Sequence, residues 1–118
     1  MMTEKGTLPI GVEFEGKTHK DFELRPQLAM DSIDAVEESE RAARNESYLG
    51  MCVLAKQVTK LGDIPKKAIT PELLMGMYAA DLGVLSAASG RLETRMARFS
   101  GKDEADKKGN AGLEEAGV

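Results

Sequence analysis

The stretch "TPELLMGMYAADLGVLSAASGRLETRMARF", Thr70 to Phe99, decides the fold of this chain. It is nearly all apolar or small up to Gly90, yet Asp81 sits in its middle. Two architectures compete for it. As one long helix, it carries a seam of Met75, Tyr78, Leu82, Leu85, Ser89, Leu92, Met96 and Phe99, with steps alternating between three and four. A second stripe, Gly76, Gly83, Gly90 and Ala97, would let another backbone approach. But each glycine inside a helix costs roughly 1 kcal/mol relative to alanine, and three of them weaken a single long helix. As two helices, a short one runs from Pro71 to about Gly76, a corner lies at Met77-Tyr78, and a second starts near Ala79. Thr70-Pro71-Glu72 is a strong helix start: threonine caps, proline fits the first turn and glutamate meets the positive end of the dipole. "YAADL" repeats the placement of an acid just before the leucine that opens an apolar face. We therefore read two helices, with Asp81 as N-cap or third residue of the second. A catalytic Asp81 would need a partner base, acid or metal ligand, and none is visible.

Working outward, the 118 residues suit one domain. Aromatics are scarce: Phe14, Phe22, Phe99, Tyr48, Tyr78 and no Trp. Alanine, leucine and methionine must fill the core, which favours a mainly helical protein over a β-sandwich. The lone Cys52 excludes an internal disulfide and a thiolate zinc cluster. No apolar run approaches the ~18 residues of a membrane span. "MMTEKGTLP" lacks the apolar core of a signal peptide, so a reducing cytoplasm is expected.

"LPIGVEFEGKTHKDFEL" reads as a β-hairpin, with strands at about 8–14 and 18–24 and a turn at Glu15-Gly16. Leu8, Ile10, Val12 and Phe14 alternate with period two. A strict two-residue loop would put Phe22 and Leu24 on the face opposite that set. An extra residue is therefore expected, either in the loop or as a bulge near His19 to Asp21. Pro9 has no N–H, so its strand is an edge or starts there. Arg25-Pro26 ends the hairpin.

A helix is expected at about 30–44, capped by Asp31 or Ser32, with Ile33, Val36, Glu40 and Ala43 at helical spacing. Its apolar face is thin, so it should be the most exposed helix. A stronger helix follows at about 46–61, with Gly62 as its left-handed terminator. "DIPKKAI" connects, pinned by Ile64 and Ile69. The helices at about 71–76 and 79–99 complete a single domain over 1–99. Residues 100–118, glycine-rich and with one leucine, read as a disordered tail. The fold class is α+β, mainly α: an N-terminal hairpin followed by a small helical bundle.

The chemistry-bearing residues form no constellation that catalysis requires. His19 lies in a charged strand and reads as solvated. Cys52 reads as a small core hydrophobe. "GKT" at Gly16 to Thr18 lacks the upstream glycine of a phosphate loop. Glu37, Glu38 and Glu40 read as a solvated helix face. No metal or cofactor is expected, and no enzyme. Net charge is −4. Arg91, Arg95 and Arg98 are the one basic cluster, near the expected end of the last helix, where they would favour its dipole. They also support an alternative reading, a small helical DNA-binding regulator, against which the acidic balance and the want of stacking aromatics both weigh.

Three segments carry a family resemblance: the hairpin "LPIGVEFEGKTHKDFELRP", the acidic helix after it and the "ITPELLMGMYAADLGVLSAASGRLETRMARF" block. Over roughly Thr7 to Phe99 the chain resembles the small tail assembly chaperones of Mu-like and P2-like contractile-tailed bacteriophages. The resemblance implies a non-enzymatic protein of the bacterial host cytoplasm that binds the long tape measure protein and helps recruit tail tube subunits around it. Such factors are absent from the finished virion. Members of this class often have a longer form made by ribosomal frameshifting near the end of the shorter frame, which would join after Phe99. The expected partners are thus the tape measure and tail tube proteins, without nucleic acid or membrane. Gly76, Gly83, Leu85, Gly90, Leu92, Met96 and Phe99 are the candidate partner-binding residues, offering a small stripe and an adaptable methionine-containing seam to a helix. The same seam could instead be core, or serve a homodimer.

Overall fold

The computed structural model describes residues 2–108, with side chains described over 2–98. The expected α+β class is what it shows. Strands β1 (Glu4–Phe14), β2 (Lys17–Leu24) and β3 (Val58–Leu61) form one antiparallel sheet in that order. Helices α1 (Ala29–Glu38), α2 (Glu40–Arg44) and α3 (Glu46–Gln57) lie between β2 and β3. A short 3-10 turn at Lys66–Ala68 leads to α4 (Pro71–Met75) and α5 (Ala79–Lys108).

The hairpin turn is the strict two-residue one. Glu15 and Gly16 both take positive φ, 50° and 80°, the pairing that matches strand twist in a two-residue loop. The register runs Phe14↔Lys17, Glu13↔Thr18, Val12↔His19, then resumes at Thr7↔Asp21. Residues 8–11 of β1 therefore face the single residue Lys20 of β2. The extra length lies not in the loop but at the expected level, between the His19 and Asp21 pairs, and it is the first strand, not the second, that carries it. It is three residues, an odd number, so it performs the parity change that the apolar pattern demands. Phe22 and Leu24 are buried with Leu8 and Val12, but Ile10 is pushed outward and breaks the expected alternation. β1 is an edge strand, and Pro9 sits in its bulge, where no ladder N–H is needed.

Two helices end earlier than their apolar spacing suggests. The expected helix over 30–44 breaks at Ser39, which is extended (φ −142°, ψ 119°). Its hydroxyl accepts from the Ala42 N–H at 3.2 Å and so starts α2. The helix expected to reach Leu61 stops at Gln57, and Val58–Leu61 pairs with β2 instead. Val58 and Leu61, three apart, satisfy a helix face or this bulged strand equally well. The Lys66 ammonium closes the end of α3, donating to the carbonyls of Ala55 (2.9 Å) and Val58 (2.5 Å). Burial lowers its pKa, and the neighbouring Arg25 and Lys56 charges lower it further.

The main core joins the inner face of the sheet to Leu54, Ile64, Ile69, Leu74, Leu85 and Leu92. The two isoleucines do pin the connector. A smaller layer of Ala35, Ala42, Tyr48 and Cys52 lies between α1, α2 and α3. There the Arg41 guanidinium stacks 4.2 Å from the Tyr48 ring centre. The Tyr48 hydroxyl donates to the Glu72 carboxylate, tying α3 to α4. Burial raises the Cys52 thiol, as suits a core residue.

The opening stretch is two helices. Gly76 ends α4, Met77 and Tyr78 make the corner, and Asp81 is the third residue of α5. α5 continues to Lys108, past the end expected near Phe99 to Gly101; the rest of the expected tail, 109–118, lies outside the described residues.

Candidate partner-binding surface

Asp81 is fully buried, and its carboxylate does not serve its own helix. It accepts from two backbone N–H groups of the β1 bulge, Ile10 at 2.9 Å and Gly11 at 2.8 Å. Gly11 takes φ +106° here, and a Cβ on it would lie 2.6 Å from the Thr18 methyl. Asp81 is thus a structural anchor between sheet and helix, with both oxygens committed. His19, expected on a solvated face, is also buried. Its Nδ1 accepts from the Asp63 N–H at 3.2 Å, beneath Gly62. Among the described residues no group of three or more His, Cys, Asp or Glu is placed to hold a metal ion.

The residues singled out for partner binding separate into three groups. Leu85 and Leu92 are core: with Asp81 and Ala88 they form the buried line of α5, steps of four, three and four. Gly76, Gly83 and Gly90 are exposed, and a Cβ added at Gly83 or Gly90 would meet nothing within 4 Å. Met96 continues the Leu85–Leu92 line one turn beyond the core and is exposed. The Phe99 side chain lies outside those described. Of the rest of the expected seam, Met75 and Tyr78 are exposed and Leu82 and Ser89 half-buried, so the seam is rotated from the one read in the sequence. Ser89 bonds the amide of Gln57, which bridges to the Arg25 carbonyl.

The three arginines do not stand at a helix end, because α5 runs on for ten residues after Arg98. Arg91 and Arg95 both pair with Glu4, at 2.8 and 3.0 Å, and Arg95 also donates to the Thr3 carbonyl. Two of the three guanidiniums hold the start of β1 against α5.

The surface that the sequence reading missed is on α1. The residues that α1 buries are Asp31 and Ala35. Asp31 accepts from both guanidinium nitrogens of Arg25 (2.8 and 3.0 Å) and from the Leu28 N–H (2.8 Å). Burial alone would raise the Asp31 carboxyl, but these hydrogen bonds and the Arg25 charge hold it below the ordinary value. With the acid turned inward, the apolar residues turn outward. Leu28, Met30, Ile33 and Val36 are 47%, 56%, 48% and 37% exposed. At 100° per residue, Ile33 stands opposite the Asp31–Ala35 side. α1 is amphipathic with its apolar face away from the body, an arrangement that marks interaction surfaces. Next to it, a groove of about 580 Å³ opens between Gln27 and Ser32, α3 (Leu49, Gly50, Val53) and α5 (Ser86, Ser89).

Comparison with protein-family models, with curated proteins and with solved structures finds no match. No helix among the described residues is long and apolar enough to cross a membrane.

Proposed function

We propose that this chain is a tail assembly chaperone of a contractile-tailed bacteriophage or prophage, a non-enzymatic protein that binds helical segments of the tape measure protein. One observation carries the reading from the structural side: α1 turns Met30, Ile33 and Val36 outward, where each stays exposed. Such a face binds amphipathic helices, and methionine adapts to varied ones. The resemblance over Thr7 to Phe99 supplies the partner class. In this role the chaperone works in the host cytoplasm, keeps the tape measure protein soluble until tail tube subunits surround it, and leaves before the tail is complete. The exposed line of Gly83 and Gly90 on α5 offers a second place for close backbone approach.

Co-expression with the tape measure protein encoded beside it tests this. The expected result is a soluble complex that co-purifies, where the tape measure protein alone is insoluble. No association and no gain in solubility would overturn the reading.

A further inference from the structure

We propose that the outward face of α1 is the docking site itself, and that its occupant is a basic amphipathic helix. The inference rests on reading the chain as a binder of helical segments, and adds where the segment lies and what charge flanks it. From Met30 to Val36 the exposed line spans six helical steps, about 9 Å, which matches nearly two turns of an opposing helix, and the extended N-cap residue Leu28 stands at its start. Ile33 is its centre.

Charge selects the occupant. Between Leu28 and Glu40 the sequence has five acids and no Lys or Arg. Asp31 is committed to Arg25 and Glu38 to Lys56, while Glu40 pairs with Arg44. Asp34, beside Ile33 in sequence, and Glu37, one turn on, enter no ion pair among the described residues. An apolar line whose neighbouring charges outside these ion pairs are carboxylates complements a helix that carries Leu or Ile at i, i+3 and i+7 with Lys or Arg beside them. A second copy of this chain is disfavoured, because a two-fold contact through α1 would bring together two helices that both carry acids and no Lys or Arg. An anionic lipid surface is repelled for the same reason.

The test uses the full chain and two synthetic helical peptides with the same leucine face, one flanked by lysine and one by glutamate, titrated by fluorescence anisotropy. The lysine peptide is expected to bind at least about tenfold tighter than the glutamate peptide. Ile33→Asp should weaken the lysine peptide about tenfold or more, and Met30→Ser should weaken it less. These residues are exposed, so both variants should keep the wild-type melting curve. The pair Asp34→Lys and Glu37→Lys should invert the peptide preference. Ile33→Asp adds an acid, so simple charge attraction would hold or strengthen lysine-peptide binding; that outcome overturns the proposal. So does failure of the lysine peptide to bind, or a dimer in sedimentation that Ile33→Asp dissolves. If the tape measure protein co-purifies equally with wild type and Ile33→Asp, the α1 site is wrong and the chaperone reading stands. If the lysine peptide behaves as expected but no tape measure protein associates, the reverse holds.

Discussion

The Asp81 carboxylate and the Gly11 N–H, 70 residues apart in sequence, meet at 2.8 Å inside the protein. With Ile10 N–H on the other oxygen, the contact fastens the bulge of β1 to the first turn of α5. A three-residue bulge exposes backbone donors that the ladder cannot use, and a buried carboxylate is a strong acceptor for two of them.

Asp81→Ala should therefore destabilise by about 3 kcal/mol, since each donor left unsatisfied in the interior costs about 1–3 kcal/mol. Asp81→Asn should lose less, because one carbonyl oxygen remains to accept. Urea unfolding checks this through the shift in midpoint at constant slope. A loss below about 1 kcal/mol for the alanine variant would contradict the anchoring role.

Gly62 and His19 give a coupled prediction. Gly62 has φ +54°, and a Cβ there would sit 2.3 Å from His19 Nδ1. Gly62→Ala should cost about 1–2 kcal/mol for the left-handed backbone plus the clash with the ring. In a His19→Gly background, which removes the His19 Cβ 2.5 Å away as well as the ring, the clash disappears and the backbone cost remains. The double-mutant cycle should thus show a coupling of about 1 kcal/mol or more, measured by urea unfolding. Additive losses would mean that the ring moves aside freely.

How far the sequence was legible follows from such contacts. The two-helix reading of Thr70 to Phe99 was accessible because local signals agree: a Thr-Pro-Glu start, a glycine end and an acid in the next first turn. The need for a parity change in the hairpin was also accessible, since Phe22 and Leu24 must share a face with Leu8. The strand that carries it was not, because apolar alternation constrains parity and says nothing of which strand holds the extra residues. The acceptor for the bulge lies 70 residues away. The α1 surface was hidden by a similar long reach. Ile33 and Val36 look like the inner face until Arg25, at the end of β2, claims Asp31. The strand at Val58–Leu61 was masked because its two buried residues are three apart, a spacing that a helix shares.

Ser39→Ala tests the break between α1 and α2. It removes the hydroxyl that accepts from the Ala42 N–H, and should cost about 1 kcal/mol by thermal or urea unfolding. Ser39→Asp keeps an acceptor at the cap and should be close to wild type. Equal losses for both would show that backbone packing, and not the cap, fixes the break.

The Arg25–Asp31 pair makes stability pH-dependent in a definite direction. The Asp31 carboxyl is held below its unfolded value, near 3.9, because the Arg25 and Leu28 hydrogen bonds outweigh burial. The unfolded chain therefore binds the proton more readily than the folded one. The stabilisation is complete above the unfolded value and is lost as pH falls through the folded one. Glu72, also held low chiefly by the Tyr48 hydroxyl, contributes in the same sense. Asp31→Asn should lose about 2–3 kcal/mol at neutral pH, because Arg25 keeps a largely buried charge without its counterion. Its stability should fall less steeply than wild type below about pH 4, so the two curves converge on the acid side. Urea midpoints between about pH 7 and pH 3 read both effects. Parallel curves would show that another carboxylate sets the acid limb. Arg25→Met with Asp31→Leu should recover most of the neutral-pH loss, since a buried pair is often matched by apolar residues of similar volume. That double variant keeps α1 docked through Ala35, so the outward Ile33 face should bind the lysine-flanked peptide as wild type does. Loss of binding there would mean that the ion pair also sets the angle at which α1 presents its apolar side.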